Sequence, residues 1–177
     1  NSGLGPNLTD GNPLFHGRSP GNNIGTGSAL GVDALDADRV LMAKQTDPGN
    51  AEEYLDLRPA VLVVPIGLGG QARVINDAQY DVDPIDAGTD EANKFMQPNK
   101  VRGLFRDIVD TPRLSGTRRY LFADPEIAPV LEVVFLDGQT SPQIVTEEGF
   151  DYDGIRWRVL LDFGVGATDY RGAVTNA

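Results

Sequence analysis

Cysteine is absent from this chain of 177 residues. That absence removes disulfides, thiolate zinc sites, iron–sulfur clusters and cysteine nucleophiles together, and it is compatible with a reducing compartment. Histidine is nearly absent: His16 stands alone, so a Ser-His-Asp machine would have to use it, and none of the five serines lies in a Gly-x-Ser-x-Gly elbow. A packing or hydrogen-bonding role beside Phe15 is expected for His16. No apolar run approaches the roughly 18 residues of a membrane span, and no charged-then-apolar signal segment opens the chain. Positive charge is scarce too, with 15 basic against 26 acidic residues and a formal charge of -11. A duplex phosphate backbone repels such a surface unless its basic groups gather on one face, so sequence-specific DNA binding is not expected. The groups Arg102/Arg106, Arg113/Arg118/Arg119 and Arg156/Arg158/Arg171 read as partners for the many carboxylates.

What is present describes one compact unit, long enough to bury roughly 70% of its unfolded surface without a metal or disulfide. Residues 1–31 hold eight glycines and three prolines around scattered anchors such as Leu14, Phe15 and Ile24. Such a segment cannot form its own core and should lie as an arm on something else. Residues 33–45 are predicted helical: Leu35 and Met42 fall two turns apart on one face, Ala34 and Leu41 flank it, and Asp33 is placed to cap the first turn. Asp47-Pro48-Gly49-Asn50 stops that helix. Residues 54–64 alternate through Leu55 and Leu57 and then run continuously through Val61-Leu62-Val63-Val64, the pattern of a strand buried on both faces. A second helix is predicted over 68–78, presenting Leu68, Ala72 and Ile75. From 79 to 100 apolar content falls and acids accumulate at Asp81, Asp83, Asp86, Asp90 and Glu91, which reads as an exposed excursion. Strands are expected beyond it at 101–109, 119–123, 130–136, 143–147, 154–164 and 168–174. The fold class is α+β with a largely antiparallel sheet.

Several stretches imitate chemistry. Val64-Pro65-Ile66-Gly67-Leu68-Gly69-Gly70-Gln71-Ala72 carries Gly67-x-Gly69-x-x-Ala72 between a strand and a helix, the formal signature of a dinucleotide-binding turn. That motif needs an acidic residue ending a second parallel strand about 20 residues later, and Tyr80-Asp81-Val82-Asp83-Pro84-Ile85-Asp86-Ala87 does not read as a buried strand. A nucleotide-binding enzyme domain built on Gly67, Gly69 and Ala72 is the alternative reading. Glu52/Glu53 and Glu147/Glu148 are adjacent pairs whose carboxylates diverge on any regular element. Asp151-x-Asp153-Gly154 resembles the start of a calcium loop, but Ile155, Trp157 and Val159 occupy the positions where ligands should follow, so a hairpin turn is expected. No catalytic, cofactor or metal residue is assigned.

The last quarter reads as construction. Ile155, Trp157, Val159 and Leu161 alternate with polar residues, the period of a strand with one buried face, and Asp153-Gly154 supplies the turn onto the preceding strand. Five ordered blocks carry a family resemblance: Pro13-Leu14-Phe15-His16; Arg58-Pro59-Ala60-Val61-Leu62-Val63-Val64-Pro65; Tyr120-Leu121-Phe122-Ala123-Asp124-Pro125; Leu131-Glu132 through to Gly138-Gln139 with Pro142; and the segment 150–176. Together they resemble the C-terminal part of a Mu-like bacteriophage major head subunit, a family in which some relatives are fused to a prohead protease.

The resemblance implies the Hong Kong 97-like capsid fold with an axial and a peripheral lobe. On that mapping 1–31 is an arm after a spine helix, 32–56 belongs to the peripheral lobe, 57–115 lies mostly in the axial lobe, and 116–177 returns to the peripheral lobe. A complete member would carry an N-terminal arm, an extended loop and a spine helix before Leu14-Phe15-His16, and a chain opening on Asn1 reads as a processed or truncated fragment. The implied function is structural: copies assembling as pentamers and hexamers into a virion head inside the host cytoplasm. Scaffold, prohead protease and portal are the further implied partners. Packaged DNA is enclosed but not read, and no cofactor, membrane or small-molecule substrate is expected. A prophage-encoded decoration or scaffolding factor is a third reading.

Overall fold

The computed structural model describes residues 3–17, 21–25, 27–81, 97–148 and 154–176. Its elements follow the order β1 (Asn23–Ile24), α1 (Val32–Ala43), β2 (Pro59–Pro65), α2 (Gly69–Asp77), β3 (Asp107–Thr111), β4 (Arg119–Ala123), β5 (Leu131–Phe135), β6 (Gln143–Glu148), β7 (Ile155–Leu160), β8 (Phe163–Ala167) and β9 (Ala173–Asn176). The class is mixed α and β, mostly strands with few helices.

Five strands form one sheet in the order β1-β9-β4-β2-β3. The pairs β2/β4 and β4/β9 are antiparallel, whereas β2/β3 and β1/β9 are parallel. This sheet is therefore mixed and not largely antiparallel as expected. The reason lies in the connection from β2 to β3, which passes through α2 and the acidic excursion. A crossover of that length returns the chain in the same direction, which a tight hairpin cannot do.

Side chains alternate across this sheet. Leu62 and Val64 of β2, Leu121 and Ala123 of β4 and Val174 of β9 point to the helices, where they share a core with Leu35 and Met42 of α1 and Ala72 and Ile75 of α2. On the opposite face Tyr120, Phe122 and Ala173 meet Leu14, Phe15, Leu4 and Leu8 of the glycine-rich N-terminal arm. The arm thus finds its apolar cover on the sheet. Among the described residues, the acidic excursion is closed at its base by a bridge between Tyr80 and Pro98. There Asn99 donates its side-chain amide to the carbonyls of Ile75 and Ala78, satisfying the end of α2. Residues 82–96, with Asp83, Asp86, Asp90 and Glu91, lie outside the described residues.

Several boundaries depart from expectation for identifiable reasons. Asp33 does not cap α1: Gly31 occupies that position without a side-chain cap, and the Asp33 carboxylate accepts from Lys100 at 2.7 Å. Residues 54–58 are not strand, because Asp56 adopts φ 45 and breaks the extended run before Pro59. Val101 and Phe105 are buried plugs on a turn, with Asn76 bonding both backbone groups of Phe105, so β3 begins only at Asp107. At 168–172 the Asp169 carboxylate engages the backbone and guanidinium of Arg171, forming a turn before β9.

Outside the main sheet, β5/β8 and β6/β7 pair as two antiparallel ribbons, the strands of the second falling in sequence between those of the first. The expected strand over 154–164 is divided at Leu161 and Asp162, where the Asp162 carbonyl accepts from the Leu136 backbone.

Candidate functional site

The glycine turn was the sharpest chemical candidate. β2 ends at Pro65, a single 3-10 turn spans Ile66–Leu68, and α2 starts at Gly69. The structure supplies the second parallel strand that residues 80–87 did not promise, namely β3, and this strand carries Asp110. Its placement opposes phosphate binding. A Cβ built on Gly69 would lie 2.6 Å from the Asp110 Cβ and 2.8 Å from its Oδ2, so the acidic side chain rests on the first turn of α2. Arg73, one turn along, pairs with that carboxylate and holds it below the usual carboxylate range. A pyrophosphate needs the helix start for itself, and here it would confront an anion. Gly69 serves close packing against Asp110, while Gly67 and Gly70 face open space. No local signal marked Asp110, because the strand that brings it there is distant in sequence.

His16 lies in a structural junction. Its ring packs edge-on to Tyr170 at 4.5 Å between centroids, and its backbone N–H donates to Asn22 Oδ1 at 2.8 Å. Asn22, fully buried, in turn donates to the carbonyls of Leu14 and Tyr170, tying the arm to the last turn of the chain. Among the described residues no group of three or more His, Cys, Asp or Glu is placed to hold a metal ion. Asp151 and Asp153 lie outside the described residues. The basic groups meet acids only in part: Arg106 bridges Asp107 and Asp124, Arg119 meets Asp38 and Arg171 meets Asp169, whereas among the described residues Arg102, Arg113, Arg118 and Arg158 form no ion pair.

The surfaces that remain are apolar. On the helix-free face of the sheet an open groove of about 590 Å³ runs between Leu14, Phe15, Val63, Val109, Tyr120 and Leu131. Thr111 and Arg113 also line it, and the Tyr120 hydroxyl donates to the Gly3 carbonyl at 3.1 Å, with burial raising its pKa. Along the ribbons, residues opposite each other share a face. Val133 opposes Val165 and Phe135 opposes Phe163 in β5/β8; Ile144 opposes Val159 and Thr146 opposes Trp157 in β6/β7. One face of each ribbon is thus apolar. The sequence predicts that Ile155, Trp157, Val159 and Leu161 form a buried face, and within one chain they do not: Ile155 is 55% exposed, Trp157 72%, Val159 64% and Leu161 38%.

A family model described as phage capsid protein matches residues 1–176. The chain belongs to the phage capsid protein family. Nothing among the curated proteins matches it. A solved structure, the satellite phage P4 procapsid including size determination (Sid) protein, is similar at 14% identity with a TM-score of 0.35, covering 81% of this chain and 39% of that one. The chain therefore spans less than half the length of the procapsid chain it resembles. For a capsid protein, the bare ribbon face is the most informative site on the molecule. Functional surface in such a protein is expected where side chains lack cover, and alternation at 155–161 marked an apolar face without saying what covers it.

Proposed function

We propose that this chain is part of a major head subunit of a tailed phage or prophage, of the Mu-like kind, whose copies tile an icosahedral shell as pentamers and hexamers. It acts by interface geometry and carries no catalytic, cofactor or metal site. Membership of the phage capsid protein family supports the class, and the observation that carries the reading is the apolar ribbon face left in water by the single chain. Monomeric soluble proteins rarely leave contiguous apolar surface beyond a few hundred Å² uncovered. The Hong Kong 97-like division is part of the proposal: 57–115 mostly axial, 32–56 and 116–177 peripheral. The core shared by α1, β2 and α2 is where the two lobes would join. Assembly would take place in the host cytoplasm, and the assembled protein would reside in the virion head. Negative-stain microscopy of the intact gene product tests this directly. Closed particles are expected, and a product that remains monomeric at high concentration overturns it.

A further inference from the structure

Arg113 and Arg118 are cations that lack an acid. Among the described residues neither forms an ion pair, although the chain carries 26 acidic residues against 15 basic ones. The Arg118 Nη1 is also buried with no hydrogen-bond partner. A buried donor that has lost water and gained no acceptor is destabilising, and such groups are rare in folded proteins. The guanidinium is therefore placed for an acceptor that this chain does not itself supply.

Both arginines stand at one end of the groove on the helix-free sheet face. β2 and β3 finish at that end and β4 begins there, because β2 runs parallel to β3 and antiparallel to β4. Arg113 lines the groove beside Thr111, which pairs with the last residue of β2. Arg118 reaches the same end from the other side: a Cβ built on Gly3, which also lines the groove, would lie 2.8 Å from the Tyr120 hydroxyl and 2.9 Å from Arg118 Cδ. Val63, Tyr120 and Phe122 form the floor, and Leu131, beyond the far end of β4, makes the opposite end apolar. Among the described residues no acid lines this groove. It is an apolar trough with positive charge at one end.

A volume of about 590 Å³ falls within the range of about 300–1,000 Å³ typical of ligand sites, which are mostly apolar with a few convergent polar groups. An open trough leaves one side of its occupant in water. That suits an extended peptide, whose alternate side chains point in opposite directions, whereas a compact apolar molecule would be left half wet. We propose that the groove takes an extended segment of another protein, with apolar side chains along Val63, Val109 and Phe122 and an Asp or Glu carboxylate held by Arg113 and Arg118. The planar guanidinium fork matches a carboxylate and supplies charge-assisted hydrogen bonds. This binding is a property of the single chain and does not depend on shell formation.

The test is a nuclear magnetic resonance titration of the full chain with the peptide acetyl-Val-Ser-Val-Ser-Asp-amide and with the same sequence reversed. In either peptide the two valines and the aspartate share one side of an extended chain. One of the two is expected to move the amide signals of Val63, Val109 and Phe122, and its asparagine analogue should bind about tenfold more weakly. Arg113→Glu should weaken the acidic peptide tenfold or more and abolish its advantage over the analogue, whereas Arg102→Glu, the same charge change away from the groove, should leave both unchanged. Circular dichroism confirms that each variant is folded, and the comparison of aspartate with asparagine on the wild type needs no variant. Several results overturn the proposal: neither peptide binds at millimolar concentration, the two analogues bind equally, or Arg102→Glu acts as Arg113→Glu does. Decanoate moving the same signals while the peptides do not would make this a site for a small apolar acid. Shifts of those signals with protein concentration alone would make the occupant a second copy.

Discussion

Arg119 donates through Nε to Asp38 Oδ2 at 2.7 Å with both side chains fully withdrawn from solvent. The pair joins α1 to β4, and its remaining capacity is taken up locally. Asn176 donates to the other Asp38 oxygen at 2.8 Å, while Arg119 also donates to the carbonyl and hydroxyl of Ser28. Helix, central strand, last strand and arm are thereby tied at one point.

Removing one partner of such a pair strands the other charge without water, at a cost of about 3–5 kcal/mol. Asp38→Ala is therefore expected to lower the denaturant midpoint without changing the slope, with a fall in Tm on the order of 10 °C. Replacing both, as Asp38→Leu with Arg119→Met, should cost less than the single change, because no charge is left unpaired. Equal losses in single and double variants would show that the cluster matters only as packing volume.

Gly69 and Gly70 are adjacent and should respond to alanine in opposite directions. At Gly69 the new methyl would meet Asp110 at 2.6 Å, so strand and helix must part; overpacking of this kind costs about 1–3 kcal/mol. At Gly70 nothing lies within 4 Å, and alanine gains helix propensity worth up to about 1 kcal/mol. Thermal unfolding of the two variants decides it. Titration calorimetry of the wild type with NAD or ATP is expected to give no binding heat, and micromolar binding would restore the nucleotide reading.

How much was legible beforehand follows from the range of each interaction. The buried face of α1 could be read from Leu35 and Met42, since helical spacing reports which side chains avoid water. The run Val61-Leu62-Val63-Val64 announced a strand, but not one buried on both faces: Leu62 and Val64 are buried, whereas Val61 and Val63 are half-buried on the open side of the sheet. Arg119 and Asp38 stand 81 positions apart, and no local pattern couples them. The same limit hid Asp110 at the start of α2. Alternation through Trp157 and Val159 marked an apolar side of β7, but the burial expected from it is not found, because every residue of β7 is exposed; periodicity says only that a face is apolar. It cannot say what, if anything, covers that face.

Acid should loosen the surface ion pairs in a defined window. Arg73 holds the Asp110 carboxyl below the usual carboxylate range, and the backbone N–H of Glu126, aided by Arg106, does the same for Asp124. A carboxylate depressed in the folded state contributes stability above its unfolded pKa, about 3.9, and loses it as pH falls through the folded value. Thermal stability is therefore expected to fall below about pH 4. Asp124→Asn should flatten part of that slope, and salt should weaken the effect because the arginine partners of both half-buried carboxylates are exposed. A slope unchanged in the variant would assign the acid limb elsewhere.

Trp157 is the only tryptophan, so its fluorescence reports the ribbon face without a label. In the dissociated chain an indole 72% exposed should emit at long wavelength and be quenched freely by iodide or acrylamide. If the face is covered on association, emission moves to shorter wavelength and quenching drops as concentration rises, with the midpoint matching that from sedimentation. Spectra that do not change while the wild-type chain associates would place the contact away from Trp157, on a surface other than the one its alternation marks.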